Sequence, residues 1–231
     1  MFQLKSLAIR NTKNWDELVK SLRKVRLFGD ETIYPYKNAT IRLRLINPTD
    51  VYPISKYALR GNIDIQKQLH YLFKKEKIDT LNLGNKTATI KYVIENEEND
   101  WMMSPPIVEE SSVDGNKPIL IDGEHRFLLA RKLRQRISVV WISKVPALYP
   151  TVAKPLTWKD VKLYKTVPPV KYKREYRFQK AANLPDISSF SKIEINNKNF
   201  RYFFYRDLSL ICTSSIRPVG SNTKHPKKPN F

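Results

Sequence analysis

The run from Pro118 to Leu133 constrains the fold of this chain more than any other. Pro118-Ile119-Leu120-Ile121 is apolar, Asp122-Gly123 is a turn dipeptide, and the stretch from Glu124 to Leu133 is amphipathic. Phe127, Leu128, Ala130 and Leu133 supply an apolar face, while Arg131, Lys132 and the following Arg134 stay on the wet side. The segment therefore reads as strand, tight turn, helix. Gly123 provides the backbone freedom that a sharp strand-to-helix turn needs, and Asp122 is placed to cap the first amides. Glu124, His125 and Arg126 then stand on the first helical turn, where exposed amides and the positive dipole end favour an anion. Arg126 offers a planar fork for phosphate oxygens, and His125 can donate to them or relay a proton. The plainer alternative is a capped helix with ordinary surface charges.

Charge points to a polyanion beyond that one turn. The 231 residues carry a formal net charge of +20. Residues 1–45 hold ten Lys and Arg against four Asp and Glu, residues 46–150 fifteen against thirteen, and residues 151–231 seventeen against five. The middle is nearly neutral and the flanks are cationic, which implies nucleic acid, DNA or RNA, as partner. A generally basic protein with only adventitious polyanion affinity is the alternative. A single cysteine, Cys212, leaves no disulfide framework and no cysteine-based zinc site, and His70, His125 and His225 are too scattered to ligate a metal. No run approaches the ~18 apolar residues of a membrane span, and the first residues lack the apolar core of a secretory signal. A cytoplasmic protein with no membrane association is expected.

Thr12 to Leu27 reads as an amphipathic helix with a capped start at Asn14-Trp15-Asp16-Glu17. Thr40 to Ile46 alternates as a strand and stops at Asn47-Pro48-Thr49-Asp50. Ile63 to Ile78 is helical, with Ile65, Leu69, Leu72 and Phe73 inward and His70 on the helix surface. Thr87 to Ile94 reads as a strand, followed by an acidic loop from Glu95 to Asp100 that either holds Mg²⁺ beside a phosphate or, the preferred reading, is simply solvated. Glu109 and Glu110 form a second acidic pair, suited to metal binding or to work as a base near a phosphate, or else the exposed end of a strand. Prolines punctuate residues 146–169. Beyond them, Val170 to Phe178 alternates cations with aromatics, and Lys171, Lys173, Arg174 and Arg177 are the expected nucleic-acid contacts, with Tyr172, Tyr176 and Phe178 either stacking on bases or buried. Lys192 to Tyr205 reads as a hairpin, and residues 214–231 as a disordered basic tail.

Pro105-Pro106-Ile107-Val108, then Ile119-Leu120-Ile121-Asp122-Gly123-Glu124-His125-Arg126-Phe127, then Ile137 to Ile142 follow one another in the order and spacing of the ParB/sulfiredoxin superfamily core, which this chain resembles. Ile41 to Tyr57 resembles that family's leading strand and loop. The resemblance implies that Gly123, His125 and Arg126 contact nucleotide phosphates, and that Arg60, in the loop before the first core helix, helps to hold them. Glu124 stands where sulfiredoxins carry their catalytic cysteine, so sulfinic-acid reduction is excluded, and a glutamate there is instead what CTP-binding ParB domains carry. No helix-turn-helix is legible after the core, unlike in chromosome-partitioning members.

The expected fold is α+β: a ParB/sulfiredoxin-like mixed sheet with helices packed on one side, plus a β-rich basic C-terminal extension. The expected organisation is an N-terminal helical extension (1–40), a nucleotide-binding core (41–145), a basic, aromatic-rich region (146–213) and the tail (214–231). The favoured function is binding of CTP or ATP, with Mg²⁺, by a protein whose flanks engage nucleic acid and whose Glu124 or Glu109 serves triphosphate hydrolysis or strand cleavage. A small-molecule phosphotransferase resembling the ParB-fold free-serine kinases is the alternative. A homodimer is compatible with either.

Overall fold

The computed structural model describes residues 4–27, 32–75, 77–84, 87–94, 97–146, 151, 153–169, 172–175 and 206–211. Its centre is a mixed five-stranded sheet in the order β3-β10-β8-β9-β4, formed by β3 (Thr40–Ile46), β4 (Tyr52–Pro53), β8 (Ile107–Ser111), β9 (Lys117–Asp122) and β10 (Ile137–Ser143). β10 runs antiparallel to β3 and parallel to β8, while β8 and β9 are antiparallel. The Pro-Pro strand, the strand before Gly123 and the strand after the helix are thus all brought into one sheet, as the α+β expectation requires.

The pleat sends successive side chains to opposite faces, and each face has its own core. Ile107, Val140 and Ile142 point to one side, where they meet Leu18 and Leu22 of α1 (Trp15–Arg23), together with Val25, Tyr36 and Ile211. Val108, Leu120, Val139 and Trp141 point to the other, where they meet Phe127, Leu129 and Ala130 of α3 (Glu124–Leu133). Helices therefore cover both faces, and the expectation that they lie on one side is corrected. The reason is the α1 stripe: Leu18 and Leu22 are fully buried, and a central strand as apolar as β10 needs cover on each side. α2 (Arg60–Lys75) follows β5 (Tyr57–Leu59) directly, buries Ile65, Leu69 and Phe73, and lies beside α3.

The helix in the N-terminal region starts as the sequence indicates. Asn14 Oδ1 accepts from the Glu17 amide at 3.0 Å and Glu17 Oε2 from the Asn14 amide at 3.0 Å, a reciprocal capping box. The region is not helical throughout, however. β1 (Leu4–Lys13) pairs with β6 (Thr87–Ile94), which pairs in turn with β7 (Glu97–Met103), in a separate antiparallel sheet. Glu97 to Asp100 therefore belong to a strand and not to the expected acidic loop, because pairing with β6 satisfies their backbone groups. His70 is also corrected. It is buried rather than on the helix surface, with Nδ1 2.9 Å from the Thr80 hydroxyl, and burial lowers its pKa.

After β10 the chain returns over the α3 side. Trp158 stacks on Phe127 with ring centroids 5.9 Å apart, donates its indole N–H to the Val51 carbonyl at 2.8 Å, and lies under the Arg131 guanidinium at 4.8 Å. β11 (Lys162–Tyr164) pairs with β5, and β12 (Arg206–Asp207) with β2 (Arg26–Leu27). The hairpin expected at 192–205 and the tail at 214–231 lie outside the described residues. Among the described residues, no helix is long and apolar enough to cross a membrane.

Candidate functional site

The site is built at the junction of β9 and α3. Gly123 is the N-terminal cap of the helix with φ +96°, in the left-handed region. A Cβ at this position would stand 2.6 Å from Pro106 Cβ, so the turn is tight because the Pro-Pro strand passes directly beneath it. The helix has no side-chain cap. Asp122, expected as the cap, instead ends β9 and lies 3.7 Å from Arg126 Nη2, because Gly123 takes the capping position. The first intrahelical bond runs from the Phe127 amide to the Gly123 carbonyl at 3.0 Å. The amides of Glu124 and His125 have no acceptor within the helix and point out of its mouth.

Three side chains expected at that mouth behave differently from one another. Arg126 is 4% exposed and donates to the Ser104 carbonyl, with Asp122 as its ionic neighbour. Its guanidinium ties α3 to the strand entry rather than reaching into solvent, which corrects the picture of a solvent-facing fork. A helix side chain at this position folds back over the turn before it, and there it meets Ser104. His125 accepts the Leu59 amide on Nε2 at 3.2 Å, so its proton sits on Nδ1, and burial pushes its pKa down to about 4. It is a neutral ring at physiological pH, coupling the α3 mouth to the start of α2.

Glu124 is the unusual group. Its Oε1 is fully enclosed and has no hydrogen-bond partner among the described residues. Burial pushes its pKa up to about 8, against the opposing pull of Arg174 and of the Ser55 hydroxyl. At neutral pH the carboxyl is largely protonated. Arg60, the first residue of α2, is exposed near this junction, since Leu59 beside it is the residue that bonds His125. The structure therefore gathers Gly123, Glu124 and His125 at the N-terminus of α3, with Arg60 next to the residue that bonds His125, and leaves Arg126 behind as an anchor.

Glu109 goes elsewhere. It lies on β8 with its side chain on the α1 face of the sheet, the opposite side from α3. It is 2% exposed and fully engaged: Arg206 donates to it from Nη2 at 2.8 Å and from Nε at 3.1 Å, and Tyr36 from its hydroxyl at 2.7 Å. Burial and then the Glu109 charge raise the Tyr36 pKa well above its usual value. For Arg206, burial opposes the charged form, but Glu109 and Tyr36 outweigh it and hold the guanidinium charged. The position expected to furnish a base or a metal ligand is a structural ion pair. Glu110 is likewise occupied, accepting the Trp141 indole N–H at 2.6 Å.

Of the four expected nucleic-acid contacts, Lys171 and Arg177 lie outside the described residues. Lys173 gives its backbone carbonyl to the Lys56 amide. The charge of Arg174 pulls the Glu124 pKa down against burial. Among the described residues no cluster of His, Cys, Asp or Glu is arranged to hold a metal. Nothing local in the sequence singles out Ser55 or Arg206; each acquires its role only when distant segments are brought together.

Residues 17–162 match the family model described as the ParB CE domain. No curated protein and no solved structure matches the chain.

Proposed function

Because this chain belongs to the ParB CE domain family, we propose that it binds a nucleoside triphosphate, CTP or ATP, at the mouth of α3 and engages nucleic acid through its basic flanks. The observation that carries this reading is the Gly123 junction. A left-handed glycine packed against Pro106 makes the turn from β9 into α3 tight, and the α3 amides beyond it face outward. Phosphate oxygens accept from the amides of Glu124 and His125, and His125 Nδ1–H is a further donor on a ring whose other nitrogen is fixed by Leu59. Arg60 adds positive charge from α2. A protonated Glu124 brings no negative charge to repel the phosphates at neutral pH.

Glu124 is also the group at this opening suited to move a proton. A carboxyl poised near pH 8 works as an acid or a base with little driving force wasted in either direction, so a hydrolytic step, if the nucleotide is cleaved, is assigned to it. Magnesium prefers one or two carboxylates plus the nucleotide's own phosphates. Asp122, partly exposed at the end of β9, fits as one such carboxylate, and the ion supplies charge neutralisation for the phosphates.

A thermal-shift panel of CTP, ATP, ADP and GTP with Mg²⁺ tests the nucleotide reading. A ligand present at about 100 times its Kd stabilises by about 2.7 kcal/mol, easily resolved as a shift in Tm; no shift with any nucleotide refutes it. The nucleic-acid part predicts affinity that falls steeply with salt, with a log–log slope of roughly −0.9 per duplex phosphate contact. Transfer of phosphate from the nucleotide to free serine in place of nucleic-acid binding selects the phosphotransferase alternative.

A further inference from the structure

At the end of α3 away from Gly123 lies a cavity of about 270 Å³, small for a ligand site but large enough for one compact polar group. Its wall comes from parts of the chain far apart in sequence: Leu45 in β3, His70 and Lys74 on α2, Asp79 and Asn82 in the turn after α2, and Arg136 in the link from α3 to β10. The acceptors of this wall are engaged within it. Asp79 Oδ1 accepts the Leu81 amide at 2.9 Å and Oδ2 the Asn82 side-chain amide at 2.8 Å. Asn82 Oδ1 accepts the Ser138 hydroxyl at 3.2 Å, and the Leu45 carbonyl accepts Arg136 Nη2 at 2.5 Å.

The donors are not all engaged. Lys74 makes no hydrogen bond or ion pair among the described residues, and Arg136 keeps its remaining N–H groups. His70 shares a face of α2 with Lys74, one turn away. The Thr80 hydroxyl, which is buried, has His70 Nδ1 at 2.9 Å as its one partner among the described residues. A buried hydroxyl with no other acceptor donates to that nitrogen, so the ring proton is on Nε2. Nε2 itself has no hydrogen-bond partner among the described residues. One feature opposes an anion: α2 and α3 both end beside the cavity, and helix C-termini attract cations. Main-chain bonds close those ends, however. Phe73 and Lys74 carbonyls accept from the Ile78 and Lys77 amides at 2.8 and 3.2 Å, and Ala130 and Arg131 carbonyls from the Gln135 and Arg134 amides at 2.9 and 3.1 Å. Lys77 and Arg134 adopt the left-handed backbone that this closure uses. The side-chain charges of Lys74 and Arg136 are thus not spent on the helix ends.

We propose that this cavity binds a phosphate group, at a site separate from the α3 mouth, with Lys74, Arg136 and His70 Nε2 as its donors. An ionised phosphate presents acceptors in every direction, which matches a wall whose uncommitted groups are donors. Two side-chain cations face one carboxylate, Asp79, and both oxygens of that carboxylate are already bonded. The Arg136 guanidinium, held at one nitrogen by the Leu45 carbonyl, turns a planar fork suited to phosphate oxygens into a fixed feature of the wall. The inference does not depend on the nucleotide reading given above. The phosphate belongs either to a free phosphoester or to a nucleic-acid strand, and the test separates the two.

The test follows the amide chemical shifts of the full-length, isotope-labelled protein at pH 7 as inorganic phosphate is added, with sodium chloride at matched ionic strength as reference. The proposal expects saturable, phosphate-dependent shifts at His70, Lys74, Asn82 and Arg136. Lys74→Gln and Arg136→Gln should each weaken that saturation about tenfold, as loss of a charged hydrogen bond does, and leave any titration at Gly123 and His125 as it was. If Arg136→Gln does not fold, Lys74→Gln decides, because that side chain is exposed and has no partner among the described residues to lose. Equal shifts with chloride, or phosphate affinity that Lys74→Gln leaves unchanged, overturn the proposal. Shifts confined to Gly123, Glu124 and His125 overturn it too, and leave the α3 mouth as the anion site. A terminally phosphorylated oligothymidylate and its unphosphorylated counterpart are then titrated in the same way. Shifts at the cavity with both, competing with inorganic phosphate, assign the site to a strand's backbone, and shifts with the phosphorylated one alone assign it to a strand's end. Shifts with inorganic phosphate only assign it to a free phosphoester.

Discussion

The two faces of the central sheet each bury a carboxylate near an arginine, and they treat it in opposite ways. On the α1 face, Glu109 receives two bonds from Arg206 and one from Tyr36, and the ion pair is closed to solvent. On the α3 face, Glu124 has an oxygen with no hydrogen-bond partner among the described residues and a pKa pushed up to about 8, with Arg174 only partly compensating. Both arrangements cost desolvation. The first recovers it internally and joins β12 to β8, so it belongs to the architecture. The second retains unmet polar capacity at the end of a helix, a common mark of a site shaped for something else.

The comparison is broken most forcefully at Glu109. Glu109→Ala leaves a buried guanidinium without its carboxylate and should cost about 3–5 kcal/mol, read as a lower midpoint in urea denaturation. It should leave nucleotide affinity of the folded fraction unchanged. A loss under 1 kcal/mol would mean that the ion pair is not structural. Next in size is Gly123→Ala. The left-handed backbone costs about 1–2 kcal/mol for a residue with a side chain, and crowding against Pro106 adds about 1–3 kcal/mol. The double variant Gly123→Ala with Pro106→Gly, which removes the Cβ and Cγ that an added methyl would meet, should recover only the crowding part relative to Pro106→Gly alone, and full recovery would show that φ at residue 123 is unimportant.

Arg126 sharpens the division within the α3 face itself. Because it is buried and bonded to Ser104, Arg126→Ala should lose about 1.5–3 kcal/mol of stability, the range for a charged hydrogen bond. Wild-type stability in that variant would return Arg126 to the solvent-facing role. The smallest of these effects is a pH dependence, about 2 kcal/mol. The folded pKa of Glu124 is raised from 4.5 to about 8, so the folded state binds the proton more tightly and stability falls as pH rises across that range. His125, lowered from 6.5 to about 4, works in the other direction: stability falls as pH drops below 6.5. The two slopes oppose each other between about 4.5 and 6.5, and of these two groups Glu124 alone contributes a slope above that. Stability should therefore decline by about 2 kcal/mol from pH 6.5 to 8, given 1.36 kcal/mol per pKa unit. Glu124→Gln should flatten this decline, and an unchanged slope in that variant would assign it to another group.

Local features were legible in the sequence where local chemistry determines them. The Thr40–Ile46 alternation, the Asn14 capping box and the Gly123 junction each depend on residues within a few positions, and each is found at those positions. The destinations of side chains depended on distant chain and were not legible. Arg126 is on the first turn of its helix as read, but its inward course is set by the Ser104 carbonyl, 22 residues earlier. Glu109 looks like a strand-end acid until Arg206, 97 residues later, arrives opposite it. Ser55 carried no local signal either, because its effect on Glu124 depends on a residue 69 positions later.

The central claim is that the ligand-binding face is the one containing α3, and the face of the Glu109 ion pair is not. Amide chemical-shift mapping of isotope-labelled protein, titrated with CTP and then ATP in the presence of Mg²⁺, tests it most directly. The account predicts the largest shifts at Gly123, Glu124 and His125, with accompanying shifts at Ser55, Arg60 and Arg174, and none at Tyr36, Glu109 or Arg206. Shifts confined to the Tyr36, Glu109 and Arg206 face, or no shifts with either nucleotide, would contradict it.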